Sequence, residues 1–192
     1  MGAEKGASYY DSIYRARARN GVYDACPLQT QFYGELWSVA AKLVPQGKKV
    51  IDIGCGPGEF AAVFRASRPE DYIGYDFSSA AIEVASAREL VSCDFIIGDV
   101  SRARETEANG VCYVCLEVLE HIKEDTGLLA GLNAENPLII SLPTFDSAGH
   151  VRWFATCDDV IARYRPIFPN IKHAHTINVK NGHKLFILTA NI

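Results

Sequence analysis

Residues 48–60 read KKVIDIGCGPGEF, and this stretch decides the fold. A short apolar run, VIDI, gives way to Gly54, Gly56 and Gly58 at every second position, and a helix-compatible segment follows. Glycine accepts backbone conformations and close approaches that other residues refuse, so a glycine-rich turn between a strand and a helix is the usual cradle for a nucleotide. The loop itself leaves two ligands open. Read from Gly56, GPGEFA satisfies the relaxed dinucleotide pattern G-x-G-x-x-A, with Asp76 20 residues on, where a ribose-binding acid belongs. Read from Asp52, the pattern is D-x-G-x-G-x-G. An acid that closes the strand attracts an ammonium group and repels a pyrophosphate.

Outward from the loop, short apolar runs alternate with helical segments. YIGYD at 72–76 leads to a helix opening at Ser78 or Ser79; DFIIG at 94–98 leads to a polar connection; VCYVCL at 111–116 leads to a helix near Val118; and PLIISLP at 137–143 leads to a helix at 157–164. This alternation predicts a parallel sheet with helices on both faces. The connection at 99–110, DVSRARETEANG, is only just long enough for a parallel crossover, so its helix is expected to be short or missing. The C-terminus differs: IKHAHTINV and HKLFILTA are strand-like and are separated by Lys180, Asn181 and Gly182, whose Asn-Gly pair favours a type I′ hairpin. The fold class predicted is therefore α/β, a doubly wound, mostly parallel seven-stranded sheet that ends in an antiparallel hairpin. Upstream, residues 8–19 read as a helix with aromatic residues on one side. Residues 28–44 read as an amphipathic helix with Leu28, Phe32, Leu36, Ala40 and Leu43 in register. One domain is expected, with a helical cap at 1–47 on a Rossmann-like core at 48–192.

Composition narrows the function. With 192 residues, 48% hydrophobic and 22% charged, the chain can bury one full core. A net charge of −4 argues against holding polyanions by bulk electrostatics, so small or neutral partners are expected and nucleic acid is not. The sequence shows no leader-like N-terminus and no apolar run near the ~20 residues a membrane span needs, which predicts a cytoplasmic protein with no membrane partner. Cys26, Cys55, Cys93, Cys112, Cys115 and Cys157 read as reduced thiols. Cys112 and Cys115 have C-x-x-C spacing, but on a strand residues three apart point to opposite faces, so they read as core residues rather than a metal knuckle.

The segment from Asp52 to Gly58 resembles the cofactor loop of class I S-adenosylmethionine-dependent methyltransferases, and three later segments fall where that family has its site. The likeness runs from about residue 50 to the end of the chain, hairpin included. The small single-domain type, similar to ubiquinone-pathway and other small-molecule methyltransferases, fits best. The resemblance implies that Asp52, Gly54, Gly56 and Gly58 form the cofactor loop, that Asp76 accepts from both ribose hydroxyls, and that Phe77 lies against adenine. It implies that Asp99, followed by Val100 in GDV, accepts from the adenine amine, and that Leu116 and Glu117 in CLEVLEHI lie beneath the methionine part. The cofactor implied is S-adenosyl-L-methionine, with S-adenosyl-L-homocysteine as product. Independently, Asp52, Asp76, Asp99 and Glu117 all fall at strand ends, the edge where open α/β sheets collect their ligands.

A sulfonium already carries a good leaving group, so the remaining task is to hold an acceptor in line and keep water out. His121, His150 and Glu120 are the candidate catalytic residues. Glu117, Glu120 and His121 fall at i, i+3 and i+4 of the helix expected there, which gives them one shared face. His150 lies in the loop after the fifth strand with Asp146, Arg152 and Trp153. Tyr9, Tyr10 and Tyr14 are candidates to line a lid formed by the N-terminal cap. The expected reaction is methyl transfer to O or N of a small-molecule acceptor, by a monomer or homodimer without a resident metal. Two alternatives remain. EVLEH with a distant His150 is similar to the metal cluster of small-RNA 3′-terminal 2′-O-methyltransferases, which implies a divalent cation at Glu117, Glu120, His121 and His150 acting on an RNA or sugar end. The other alternative is a non-catalytic partner subunit that binds the cofactor.

Overall fold

The computed structural model describes residues 2–29, 31–98 and 110–192, with residues 31 and 32 described by backbone alone. Asp99, Val100 and the crossover at 99–109 lie outside the described residues. Seven strands form one sheet: β1 (Lys49–Ile53), β2 (Tyr72–Asp76), β3 (Cys93–Ile97), β4 (Val111–Leu116), β5 (Leu138–Pro143), β6 (Lys172–Asn178) and β7 (Lys184–Ala190). Their order is β3-β2-β1-β4-β5-β7-β6. The first five are parallel, and β7 runs antiparallel to both β5 and β6. The order reverses between β1 and β4, so a crevice opens above the carboxyl ends of β1, β2 and β4. In the final hairpin Asn181 and Gly182 both have positive φ (62° and 76°), and Lys180 O accepts from His183 N at 3.3 Å, as a primed Asn-Gly turn requires.

The central strands are apolar on both faces because helices cover both. Ile51, Tyr113, Cys115, Leu138 and Ile140 belong to one core, packed with α5 (Asp125–Ala130) and α6 (Cys157–Tyr164). Val50, Cys112, Val114, Ile139 and Ile187 belong to the other, with α2 (Gln31–Leu43) and α3 (Glu59–Arg65). Cys112 and Cys115 are thus free, buried and on opposite faces, as their strand spacing dictates. No helix among the described residues is long and apolar enough to cross a membrane.

Two expected helices differ. The segment at 28–44 divides into a 3-10 turn, Pro27–Gln29, and α2. Leu28 is 51% exposed, and the buried stripe is Leu36, Trp37, Ala40, Ala41 and Val44. The turn folds back onto the helix at Gly34, where a Cβ would stand 2.5 Å from Leu28 O. After β4 the chain forms only the 3-10 turn Leu119–His121 before α5. Glu117 has φ of 57°, and Val118 lies outside the helical region at φ −128°, ψ −47°, so no α-helix propagates from β4. The other α-helices among the described residues are α1 (Ala7–Arg19) and α4 (Ser79–Ser86).

Candidate functional site

The glycine loop is folded by backbone bonds across the end of β2. Gly54 N and Cys55 N both donate to Tyr75 O, at 2.8 and 3.0 Å. Gly54 has φ of 75°, and a Cβ there would lie 2.5 Å from Val118 Cγ2, so glycine alone lets the loop close on the β4 turn. Asp76 then ties loop to helix: Oδ2 accepts from Gly56 N at 3.0 Å and Oδ1 from Ser78 N at 2.8 Å. Ser78 caps α4 by accepting from Ala81 N at 3.2 Å. Gly58 serves packing, since its Cβ position faces Ala85 at 3.1 Å and Phe95 at 3.2 Å.

Gly54, Asp76, Phe77, Glu117 and His121 line one cleft of about 140 Å³, and the N-terminal segment roofs it with Glu4, Lys5, Tyr10 and Tyr14. Tyr10 reaches from α1 to within 3.0 Å of His121 Nδ1, and its ring stands edge-on to Phe77 at 5.4 Å. Burial pushes the Tyr10 hydroxyl up to about 12, so it stays protonated at neutral pH. Asp11, one residue on, accepts from Ser78 Oγ at 2.6 Å and Ala80 N at 3.1 Å, which latches α1 to the start of α4.

Asp52 does not line the cleft. It sits inside β1, 3% exposed, and accepts a short hydrogen bond from Tyr72 Oη. Burial pushes its carboxyl up to about 7 against the opposing effect of that bond. Leu116 packs on the α2 side of the core. Only Asp76 and Glu117, of the four strand-end acids, face the cleft among the described residues.

The four residues of EVLEH and the distant histidine separate into two groups. Glu117 does not share a helical face with Glu120 and His121, because no helix begins there. Its backbone N–H donates to Ser141 Oγ at 2.8 Å, and that hydroxyl donates back to Glu117 Oε1 at 2.9 Å. Burial lifts the Glu117 carboxyl to about 7. A non-glycine residue held at φ 57° at the floor of a cleft is a form of local strain that folds keep at functional sites. Glu120, His121 and His150 come together instead, each offering a ligand atom within 4.8 Å of the others. The two imidazoles are 4.7 Å apart, nearly perpendicular. His150 Nδ1 donates to Phe145 O at 3.1 Å, which leaves Nε2 as its acceptor. Burial and then the neighbouring His150 hold His121 down to about 4, and burial lowers His150 as well, so both rings are neutral at physiological pH.

Glu120 is the anomaly. It is fully buried, and neither carboxylate oxygen has a hydrogen-bond partner among the described residues. Its nearest cation-capable neighbour is His121 Nε2 at 3.9 Å. Burial drives its carboxyl well above the ordinary range. An ionised, unpaired carboxylate in a protein interior is costly, so the site is built for a cation or for a proton.

Sequence reasoning missed Asp11 and Ser141. Ser141 left a signal, the one hydroxyl in the buried run PLIISLP. Asp11 left none, because its partners lie 67 and 69 residues away.

The family model described as "Methyltransferase domain" matches residues 29–135. The ubiquinone biosynthesis O-methyltransferase of Hahella chejuensis is 29% identical over 113 residues, covering 57% of this chain and 44% of that protein. Trans-aconitate 2-methyltransferase of Klebsiella pneumoniae is 30% identical over 124 residues, 60% of this chain and 49% of that protein. The chain thus spans about half the length of these curated relatives. The crystal structure of a TehB-like SAM-dependent methyltransferase from Corynebacterium glutamicum superposes with a TM-score of 0.65 at 19% identity over 95% of this chain and 98% of that one, a likeness of fold. Since the family model covers more than half of the sequence, the chain belongs to the methyltransferase-domain family.

Proposed function

We propose that this domain transfers a methyl group from S-adenosylmethionine to oxygen or nitrogen of a small-molecule acceptor. One observation carries the reading: Gly54 of the glycine loop, Asp76, Phe77, Glu117 and His121 converge on a single cleft at the sheet's switch point, with His150 4.7 Å from His121. The residues fit the cofactor. Asp76, Glu117 and Glu4 outnumber Lys5 in the lining of the cleft, a balance that favours a ligand bearing ammonium and sulfonium charges. Phe77, 37% exposed, offers a flat face to a base. The cofactor, when bound, supplies an electrophilic methyl on sulfur. The chain's own part is to orient, to exclude water and to take a proton: Tyr10 and the α1 roof cover the cleft, and His121, which lines it, and His150 beside it are the imidazoles for a proton leaving the methyl acceptor.

The 140 Å³ of the cleft is below the ~300 Å³ at which small-molecule pockets begin, and Glu4, Lys5, Tyr10 and Tyr14 of the N-terminal segment line it. The N-terminal cap, residues 1–47, is therefore proposed to be a lid that shifts on loading. Amide hydrogen exchange tests this. S-adenosylhomocysteine should slow exchange at 54–58 and 76–81 and change it along α1; protection confined to some other face would contradict the site.

A second reading is favoured by Glu120. A divalent cation held by Glu120, His121 and His150 would supply its unpaired carboxylate with a partner, and the two neutral imidazoles suit Mn²⁺ better than Mg²⁺. Such an ion would supply Lewis acidity to orient and acidify an acceptor hydroxyl, so this reading selects oxygen transfer. Glu117 is left out of the ligand set, since Ser141 already engages it. Mn²⁺ in large excess over its dissociation constant should stabilise the wild-type protein by about 2.7 kcal/mol at a hundredfold excess. Glu120→Gln should show no such gain, and equal response of both proteins to Mn²⁺ would end this reading.

A further inference from the structure

The turn that carries Glu120 and His121 makes two short-range backbone bonds of its own, His121 N to Val118 O at 2.9 Å and Ile122 N to Leu119 O at 3.4 Å. Leu119–His121 is three residues long, follows a left-handed residue and has no side-chain cap. One guanidinium from the loop after β5 braces it: Arg152 Nη1 donates to the carbonyls of Leu119 and Ile122, and Nη2 donates to Lys123 O at 2.8 Å. The adjoining peptide adds Val151 N to Glu120 O at 2.7 Å. His150 immediately precedes these two residues. Residues 150–152 therefore carry one member of the histidine–glutamate cluster and bonds to the turn that holds the other two. Arg152 is itself anchored, with Nη1 3.2 Å from Asp125 Oδ2. Asp125 is fixed from α6 by Arg163, which donates from Nη2 at 2.6 Å and Nε at 2.8 Å, and by Tyr164 Oη at 2.7 Å. Arg152, Asp125 and Arg163 do not line the cleft.

We infer that Arg152, backed by Asp125, is a positioning residue that sets the distance between the Glu120–His121 turn and His150. A planar fork with five donors can serve three carbonyls and a carboxylate at once, which the single ammonium of lysine cannot. The inference deepens the function proposed above and rests on it for its chemical meaning: the cluster acts on one acceptor only while its two halves stay in register, and a displacement of ~1 Å is enough to spoil a reacting geometry.

Histidine side-chain NMR on the full chain tests it without an acceptor. In the wild type the rings of His121 and His150 are close enough for a ring-to-ring NOE. Arg152→Lys and Arg152→Met should lose that NOE while the amide spectrum away from the two loops is retained. In Arg152→Ala, guanidinium ion below denaturing concentrations should restore it. Retention of the NOE in the lysine and methionine variants would overturn the inference. So would wholesale unfolding of every variant, since Arg152 would then anchor the fold rather than the site. S-adenosylhomocysteine binding is read on the same samples. Its absence from the wild type would refute the methyltransferase reading and leave the ring-geometry result standing.

Discussion

Asp76→Ala should weaken S-adenosylhomocysteine binding by about a hundredfold or more. The carboxylate holds Gly56 N at 3.0 Å and Ser78 N at 2.8 Å, so it fixes the glycine loop and the start of α4 with one group. Hydrogen bonds to a charged acceptor are worth roughly 1.5–3 kcal/mol each, and every 1.4 kcal/mol is a factor of ten. Alanine removes both backbone ties along with any bond the carboxylate makes to the ligand. Asp76→Asn keeps one acceptor oxygen and should fall between alanine and wild type. Titration calorimetry reads the series, and unchanged affinity in the alanine variant would mean that the ligand binds elsewhere.

Asp125→Ala should destabilise the protein by about 3–5 kcal/mol, the usual cost of stripping one partner from a buried ion pair. Asp125 is fully buried and faces Arg152 and Arg163 together. Arg163 can swing partly into water, being 35% exposed, whereas Arg152 at 14% cannot, and Tyr164 Oη loses its acceptor as well. Burial raises the Asp125 carboxyl, but the Arg163 and Tyr164 bonds outweigh it and hold the group below its ordinary value. Its folded pKa is thus depressed. The stability it contributes is complete above the ordinary aspartate value of about 3.9 and is lost as the pH falls through the lower folded value. Urea denaturation at neutral and acid pH checks both statements: the gap between variant and wild type should narrow on acidification. A gap that stays constant would contradict the ionic account.

What the sequence disclosed and what it withheld follow from the range of the forces involved. The glycine loop, the alternating strands and the Asn-Gly hairpin were legible because each is written in local period and turn chemistry. The single helix expected from Leu28 divides into the Pro27–Gln29 turn and α2, and the turn packs back on Gly34, a contact no hydrophobic period encodes. The helix expected at Val118 shrank to a three-residue turn because Glu117 is left-handed and Val118 non-helical, and Arg152, 33 residues away from Leu119, meets that turn's carbonyls, neither of which a hydrophobic period encodes. Asp52 and Asp76 look alike as strand-end acids, yet pairing with Gly74 and Val114 sinks Asp52 one residue inside β1, against Tyr72, while Asp76 ends β2 and reaches the loop. Glu117 and Glu120 look alike in EVLEH, and only the left-handed turn between strand and loop sends one to Ser141 and the other to the histidines. Tyrosines at 9, 10 and 14 announced an aromatic roof, but which of them meets His121 depended on how α1 is latched through Asp11.

The central claim is that the crevice above β1, β2 and β4 is a site for S-adenosylmethionine, and side-by-side calorimetry with S-adenosylhomocysteine and NAD on the wild-type chain tests it most directly. The account predicts saturable one-to-one binding of S-adenosylhomocysteine, abolished or strongly weakened by Asp76→Ala, and no heat with NAD. Binding of NAD with none of the sulfur compound would contradict it, and would return the loop to its G-x-G-x-x-A reading.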